Sequence, residues 1–210
     1  MIIYDCEGAP NPRRLSIFLA EKNITISKKQ INILEAENLS ERYLKINPFG
    51  LLPSLELEDG NVLSEVPCIC QYLESIYPEV NLVGTNAIET AKILAWDRFS
   101  EMNGMNAIAE IFRNQTDALA DRGLPGLRGI KQIPELVERG KKRATWYFNQ
   151  LENNLCDSDF LISNRFTLAD ITAFCVIEFS FRVGLSLPSS NTNLQKWYKR
   201  LKEKSACSIK

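Results

Sequence analysis

The sequence predicts a small α/β domain of order βαβαββα, followed by an all-helical domain. Two observations carry this. Up to residue 80, short strand-like apolar runs alternate with helical ones, and from residue 87 onward the apolar spacing is helical throughout. Between the two, Tyr77-Pro78 ends the first pattern and residues 81–86 read as a linker, so the expected units are 1–80 and 87–210. At 210 residues the chain is long enough to build two cores.

The first unit opens with a buried strand over residues 2–5, where Ile2, Ile3 and Tyr4 adjoin. A helix over 12–22 places Leu15, Phe18 and Leu19 on one face, and a second strand follows over 28–33. A short helix over 39–45 is broken by Asn47-Pro48-Phe49-Gly50-Leu51-Leu52-Pro53. Pro53 suits the first position of a strand because it has no N–H to give a ladder, and it pushes Leu52 into an extended conformation. The Leu52 N–H and C=O then lie at a strand edge where a short peptide can pair with them, with the Glu65 carboxylate near a helix start. A turn and hairpin holding no ligand would use the same residues. Strands over 54–57 and 62–63 flank the turn Asp59-Gly60, and a helix over 66–76 completes the unit. This is the order of the thioredoxin-like fold.

In the second unit, residues 87–113 form one long helix candidate carrying Ile88, Leu94, Phe99 and Met102, with Gly104 as a place to bend. Residues 117–130 hold Gly123, Pro125, Gly126 and Gly129 and read as a loop. Helices follow over 134–155 and 167–183. The latter is apolar almost all round and belongs at the centre of its domain, behind the capping box Thr167-Leu168-Ala169-Asp170. A helix over 194–203, with Trp197 and Leu201, closes the chain.

Composition narrows the function. The formal net charge is −1, so no long-range field draws nucleic acid or an anionic membrane. No apolar run approaches the ~20 residues of a membrane helix, and Met1 leads straight into strand-like residues without a signal peptide. Cys6, Cys68, Cys70, Cys156, Cys175 and Cys207 follow no CxxC or metal-ligand rhythm, which suggests free thiols in a reducing cytoplasm and no metal centre. Histidine is absent. That removes Ser-His and Cys-His pairs, imidazole bases and the commonest zinc ligand, so any reactive group must be borrowed.

Three groups of residues resemble the cytosolic glutathione transferases. They are Ala9-Pro10-Asn11-Pro12-Arg13-Arg14 at the first helix start, Asn47-Pro48 with Gly50 and Pro53, and Ser64-Glu65 leading into Ile69 and Tyr72-Leu73-Glu74. Gln132-Ile133-Pro134, Phe166-Thr167-Leu168-Ala169-Asp170-Ile171 and Trp197 extend the likeness over nearly the whole length, closest to a bacterial and fungal branch. The resemblance implies glutathione as co-substrate on the first domain, an open hydrophobic site against the helical domain, detoxification chemistry in the cytoplasm, and a homodimer. Neither nucleic acid nor membrane is an expected partner.

The resemblance also implies roles for particular residues. The position that activates the thiol in serine- and cysteine-using members falls on Ala9, which has nothing to donate. Asn11 is the nearest polar candidate, and its amide N–H could donate to the sulfur. Asn11-Pro12 is also a plain helix start with asparagine as N-cap. Tyr4 more simply packs in the core, and Cys6 offers a mixed disulfide in the manner of omega-like members. Glutathione binding falls to Leu51, Leu52, Pro53, Glu65 and Val66. Two of these depart from the family pattern. Val66 replaces a serine and leaves only its backbone N–H, and Leu51 replaces a lysine or glutamine near the glycyl carboxylate. Arg13, Arg14 or Lys45 could compensate or could be solvated surface charge. Phe99, Met102, Met105, Ile108 and Phe112, with Arg113 and Asn114, could line the hydrophobic co-substrate site, although such stripes also suit core or dimer contacts. The expected reaction is conjugation of glutathione to hydrophobic electrophiles. Glutathione-dependent peroxide or disulfide reduction, and a catalytically weak transferase-like binding module, are the alternatives.

Overall fold

Ile2–Asp5 (β1), Ser27–Gln30 (β2), Ser54–Glu56 (β3) and Val62–Ser64 (β4) form one mixed sheet in the order β2-β1-β3-β4. They are seen in a computed structural model that describes residues 1–162 and 164–208. The helix Pro10–Glu21 (α1) carries the chain back so that β1 and β2 run parallel, while β3 runs antiparallel to both β1 and β4. Ile3 and Leu55 enter the main core with Leu15 and Phe18 of α1 and with Ile69 and Leu73 of Val66–Ile76 (α3). Alternation sends Tyr4, Ile31 and Leu52 into a smaller cluster with Tyr43 of the short helix Glu41–Leu44 (α2). β2 is shorter than expected. Its residues are all exposed, and Ile31 just beyond it still bonds Asp5 O while its side chain packs in that smaller cluster.

The second half opens with a continuous helix in three parts, Ala87–Ser100 (α4), a π turn over Glu101–Met105 and Asn106–Gln115 (α5). The expected bend at Gly104 takes the form of that π turn. A Cβ on Gly104 would lie 2.7 Å from both Tyr147 Cε1 and Val176 Cγ1, so the missing side chain lets the bulge press against Glu135–Asn154 (α6) and Leu168–Arg182 (α7). α7 is buried nearly throughout, and its capping box forms as the sequence predicts. Asp170 also accepts from Leu161 N and Trp197 Nε1, and burial pushes its carboxyl up to about 6. Thr192–Lys202 (α8) and a single turn, Ser205–Ser208 (α9), finish the described chain. α9 is too short to leave a periodic signal in sequence. Among the described residues no helix is long and apolar enough to cross a membrane.

The two halves meet along α1 and α7. Arg14 of α1, 1% exposed, donates through Nη2 to Asp97 Oδ1 (2.9 Å), through Nη1 to Glu101 Oε1 (2.7 Å), and through Nε to Thr172 Oγ1 (2.9 Å). Burial works against the cation, but Asp97 and Glu101 outweigh it and hold its pKa above the ordinary value. The sequence left Arg14 as a surface charge or an anion ligand. It is neither, because its donors are committed to partners inside the protein.

The loop after α5 also crosses to the first half. Its base is fixed by Arg113 Nη1 on Arg122 O and by Gln132 Nε2 on Arg113 O and Thr116 O. Arg122 itself is buried and donates to Ile33 O and Leu34 O. What reads in sequence as an open loop is therefore pinned at several points.

Candidate functional site

The sheet register assembles the site. Tyr4 faces Ser54 and Ser54 faces Ser64, so the end of β1, the start of β3 and the end of β4 lie side by side. Leaving the sheet at this end are the turn into α1, the segment Leu52-Pro53, and Glu65 with α3. β3 is an interior strand, not a lateral edge as the sequence suggests. The backbone on offer is instead its extension beyond the ladder. No described group bonds the Leu52 N–H or C=O, and the Leu52-Pro53 peptide is cis.

That segment is held from behind. Tyr43 Oη donates to Leu51 O (2.7 Å), Asn47 Nδ2 donates to Leu51 O and Ser54 Oγ (both 3.0 Å), and Asn38 Nδ2 donates to Gly50 O (2.7 Å). With these anchors Leu52 is buried and Leu51 half-buried. Asn47-Pro48 was legible as a helix breaker, but the supporting roles of Tyr43, Asn38 and Ser54 were not.

Glu65 is the N-cap of α3 at φ 67° and ψ 123°, a backbone conformation that non-glycine residues rarely adopt. Such strain persists where surrounding structure over-determines it, often at ligand sites. The Glu65 side chain is exposed and makes no cap bond, and Pro67 in the first turn has no N–H, so the first-turn donors are the N–H groups of Val66 and Cys68. The first turns of α1 and α3 carry no acidic residue, and the one carboxylate at these helix starts is that of the α3 cap, Glu65.

Asn11 is not the N-cap. Ala9 takes that position and α1 starts at Pro10, which places prolines first and third in the helix and leaves Asn11 as the only N–H donor among those three residues. The Asn11 side chain has its own fixed orientation. Arg14 Nη1 lies 3.0 Å from its Oδ1, and because a guanidinium can only donate, the amide NH2 must point the other way. An i, i+3 pair on a helix is visible in sequence. The buried acids that fix Arg14 lie too far along the chain to be seen there.

The rival thiol activators are placed less well. Tyr4 Oη donates to Glu56 Oε2 at 2.7 Å, and burial together with Glu56 pushes its pKa up to about 12. Cys6 is half-buried, and its thiol is raised above the ordinary value by burial and then by Asp5, against the pull of an Ile33 backbone hydrogen bond. It lines a cavity of about 540 Å³ with Asp5, Pro12, Arg13, Ser16 and Lys28 that includes none of Asn11, Leu52, Pro53, Glu65 or Val66.

The hydrophobic candidates separate. Phe99 packs with Trp96, Trp146 and Tyr147, whereas Phe112 packs edge-on against Phe179 of α7, with centroids 5.5 Å apart. Met105 and Ile108 are core residues, and Met102 is exposed. Arg113 holds Arg122 O, and Asn114 joins Glu110 O to Ile133 N, so both fix the loop instead of facing the sheet end. Phe112 has a link to that end, since Arg182, stacked over Phe179, donates to Gly8 O. Among the described residues no group of His, Cys, Asp or Glu side chains could hold a metal ion.

Comparison with known proteins agrees with this geometry. Residues 9–76 match the glutathione S-transferase N-terminal domain family and residues 108–204 the C-terminal domain family. Glutathione S-transferase 2 of Saccharomyces cerevisiae is 28% identical over 97% of this chain and 86% of its own length. The crystal structure of Gtt2 from the same yeast superposes with a TM-score of 0.91 at 27% identity, covering 99% of both chains. A glutathione S-transferase domain-containing protein of Marinobacter aquaeolei VT8 is 30% identical, with a TM-score of 0.89 over 99% of this chain and 100% of that one. A sheet end built from two helix starts and a free strand extension, carried on a chain that matches both domain families in order, makes this protein a member of the glutathione S-transferase family.

Proposed function

We propose that the chain binds glutathione at the sheet end, ionises its thiol and directs the thiolate at a hydrophobic electrophile. The observation that carries this is that the unpaired Leu52 backbone, the α3 start at Glu65-Val66 and the first turn of α1, where the Asn11 amide is turned away from Arg14, all leave one end of the sheet. The cysteine backbone of the tripeptide pairs with Leu52 beside Pro53. Glu65 receives the γ-glutamyl ammonium, and Val66 N–H with the α3 dipole receives the neighbouring carboxylate. The sulfur then faces Asn11. A free thiol has a pKa of ~8.5, and lowering it by about two units needs roughly 2.7 kcal/mol of preference for the thiolate. One amide donor and one helix end are of that order. Because the thiolate is the nucleophile, the absence of histidine is no obstacle.

The electrophile lies where Phe112, Phe179 and Arg182 approach the turn into α1, and Met102, exposed on the π turn, remains a candidate contact. Phe99, Met105 and Arg113 act by packing and by holding the loop. Units 1–80 and 87–210, the linker 81–86, a cytoplasmic homodimer and a detoxification role belong to the same proposal. Retention on immobilised glutathione, followed by assays with chlorodinitrobenzene and an organic hydroperoxide, tests it. Conjugation with little peroxidase activity is expected. Hydroperoxide turnover alone would favour the reductase reading, retention without turnover a binding module, and no affinity at millimolar glutathione would overturn the proposal.

A further inference from the structure

We propose that the tip of the loop between α5 and α6 completes the glutathione site and that Arg128 on it receives the glycine carboxylate. This rests on the glutathione reading above. With the γ-glutamyl end at Glu65-Val66 and the cysteine on Leu52, an extended tripeptide directs its glycine away from α3. The terminal carboxylate then falls about one residue, ~3.5 Å, beyond the Leu52 pairing, toward Leu51 and Phe49. Leu51 and Phe49 offer that anion no charge.

The second half of the chain covers this place. Gly126, at φ 75°, comes so near the first half that a Cβ would lie 2.4 Å from Phe49 O and 3.6 Å from Leu51 Cδ2. Arg128, two residues on, is exposed, and no described residue forms an ion pair or hydrogen bond with it. The tip is held at its neck, where Gly123 N bonds Ile130 O (2.8 Å) and Ile130 N bonds Asp121 O (2.9 Å). Below the neck, buried Arg122 is tied to Ile33 O and Leu34 O. A cation on a preformed support loses little freedom on binding. Asp121, an acid on the same loop, pairs with Arg122. The competing cation is Lys45, also exposed, just after α2.

The test compares three ligands on the full-length chain by titration calorimetry: glutathione, glutathione with its glycine carboxylate amidated, and γ-glutamylcysteine, which lacks the glycine. Arg128→Ala is expected to weaken glutathione roughly fivefold, to leave the amide and γ-glutamylcysteine unchanged, and to keep the melting temperature. Lys45→Ala is expected to retain the wild-type preference for the free carboxylate. The proposal is overturned if Arg128→Ala weakens all three ligands equally or none, or if Lys45→Ala alone removes the preference. Failure of the wild type to bind any of the three at millimolar concentration overturns the glutathione reading as well.

Discussion

Asn11 fastens its oxygen to Arg14 and turns its amide away from it, so aspartate is the informative replacement. Asn11→Asp keeps the acceptor for Arg14, removes the donor and adds a negative charge, and both changes disfavour a thiolate beside it. The bound glutathione thiol is expected to titrate about one to two units higher, with turnover at neutral pH lower by tenfold or more, as read from the thiolate absorbance and from initial rates across pH. Unchanged values would place the donor elsewhere. Cys6 gives the contrasting case. Its raised thiol pKa means that it is protonated at neutral pH, and since only the thiolate alkylates, iodoacetamide should modify it slowly at pH 7 and faster as pH climbs past the ordinary thiol range. Mass spectrometry of the peptide reads this directly, and Cys6→Ala should leave turnover intact. The sequence singled out both side chains from their place near the first helix start. It gave the wrong cap, because Pro10 and Pro12 both satisfy the preference for proline in a first turn and only the folded backbone shows which one leads.

At the level of elements, the long helix through residue 104 depends on a missing side chain. Gly104→Ala places a methyl 2.7 Å from Tyr147 and Val176, both buried, and is expected to cost about 1–3 kcal/mol in denaturant unfolding. A surface Gly→Ala in a helix would instead gain stability, so the sign of the change is diagnostic. The element order, an irregularity near Gly104 and the capping box were readable because each is local, while the π turn itself was not. The candidate pocket was less readable. Phe99 and Phe112 belong to one apolar series in sequence, but thirteen residues at 3.6 per turn already carry them to different faces, and the two rings pack against different helices. The loop after α5 was hidden for another reason, since Arg122 and Gly126 find their partners some eighty residues upstream.

Across the whole molecule, Arg14 is the point where the halves are joined by charge. Arg14→Met leaves Asp97 and Glu101 without their buried cation, and the expected cost is about 3–5 kcal/mol, seen as a large drop in melting temperature. Association is expected as well. Phe49 and Ile88 are 67% and 71% exposed, the two most exposed of the large apolar residues described. If they cover each other in a homodimer, light scattering should give a dimer mass for the wild type and a monomer mass for Phe49→Glu. The backbone at Glu65 has a further consequence. Its positive φ is one that glycine adopts freely and glutamate does not. Glu65→Gly should therefore melt at a higher temperature than the natural protein while losing its hold on the ligand amine. On the proposed ligand role, fold and ligand favour opposite residues at this position, and a gain in melting temperature with a loss of glutathione retention in Glu65→Gly is the expected signature.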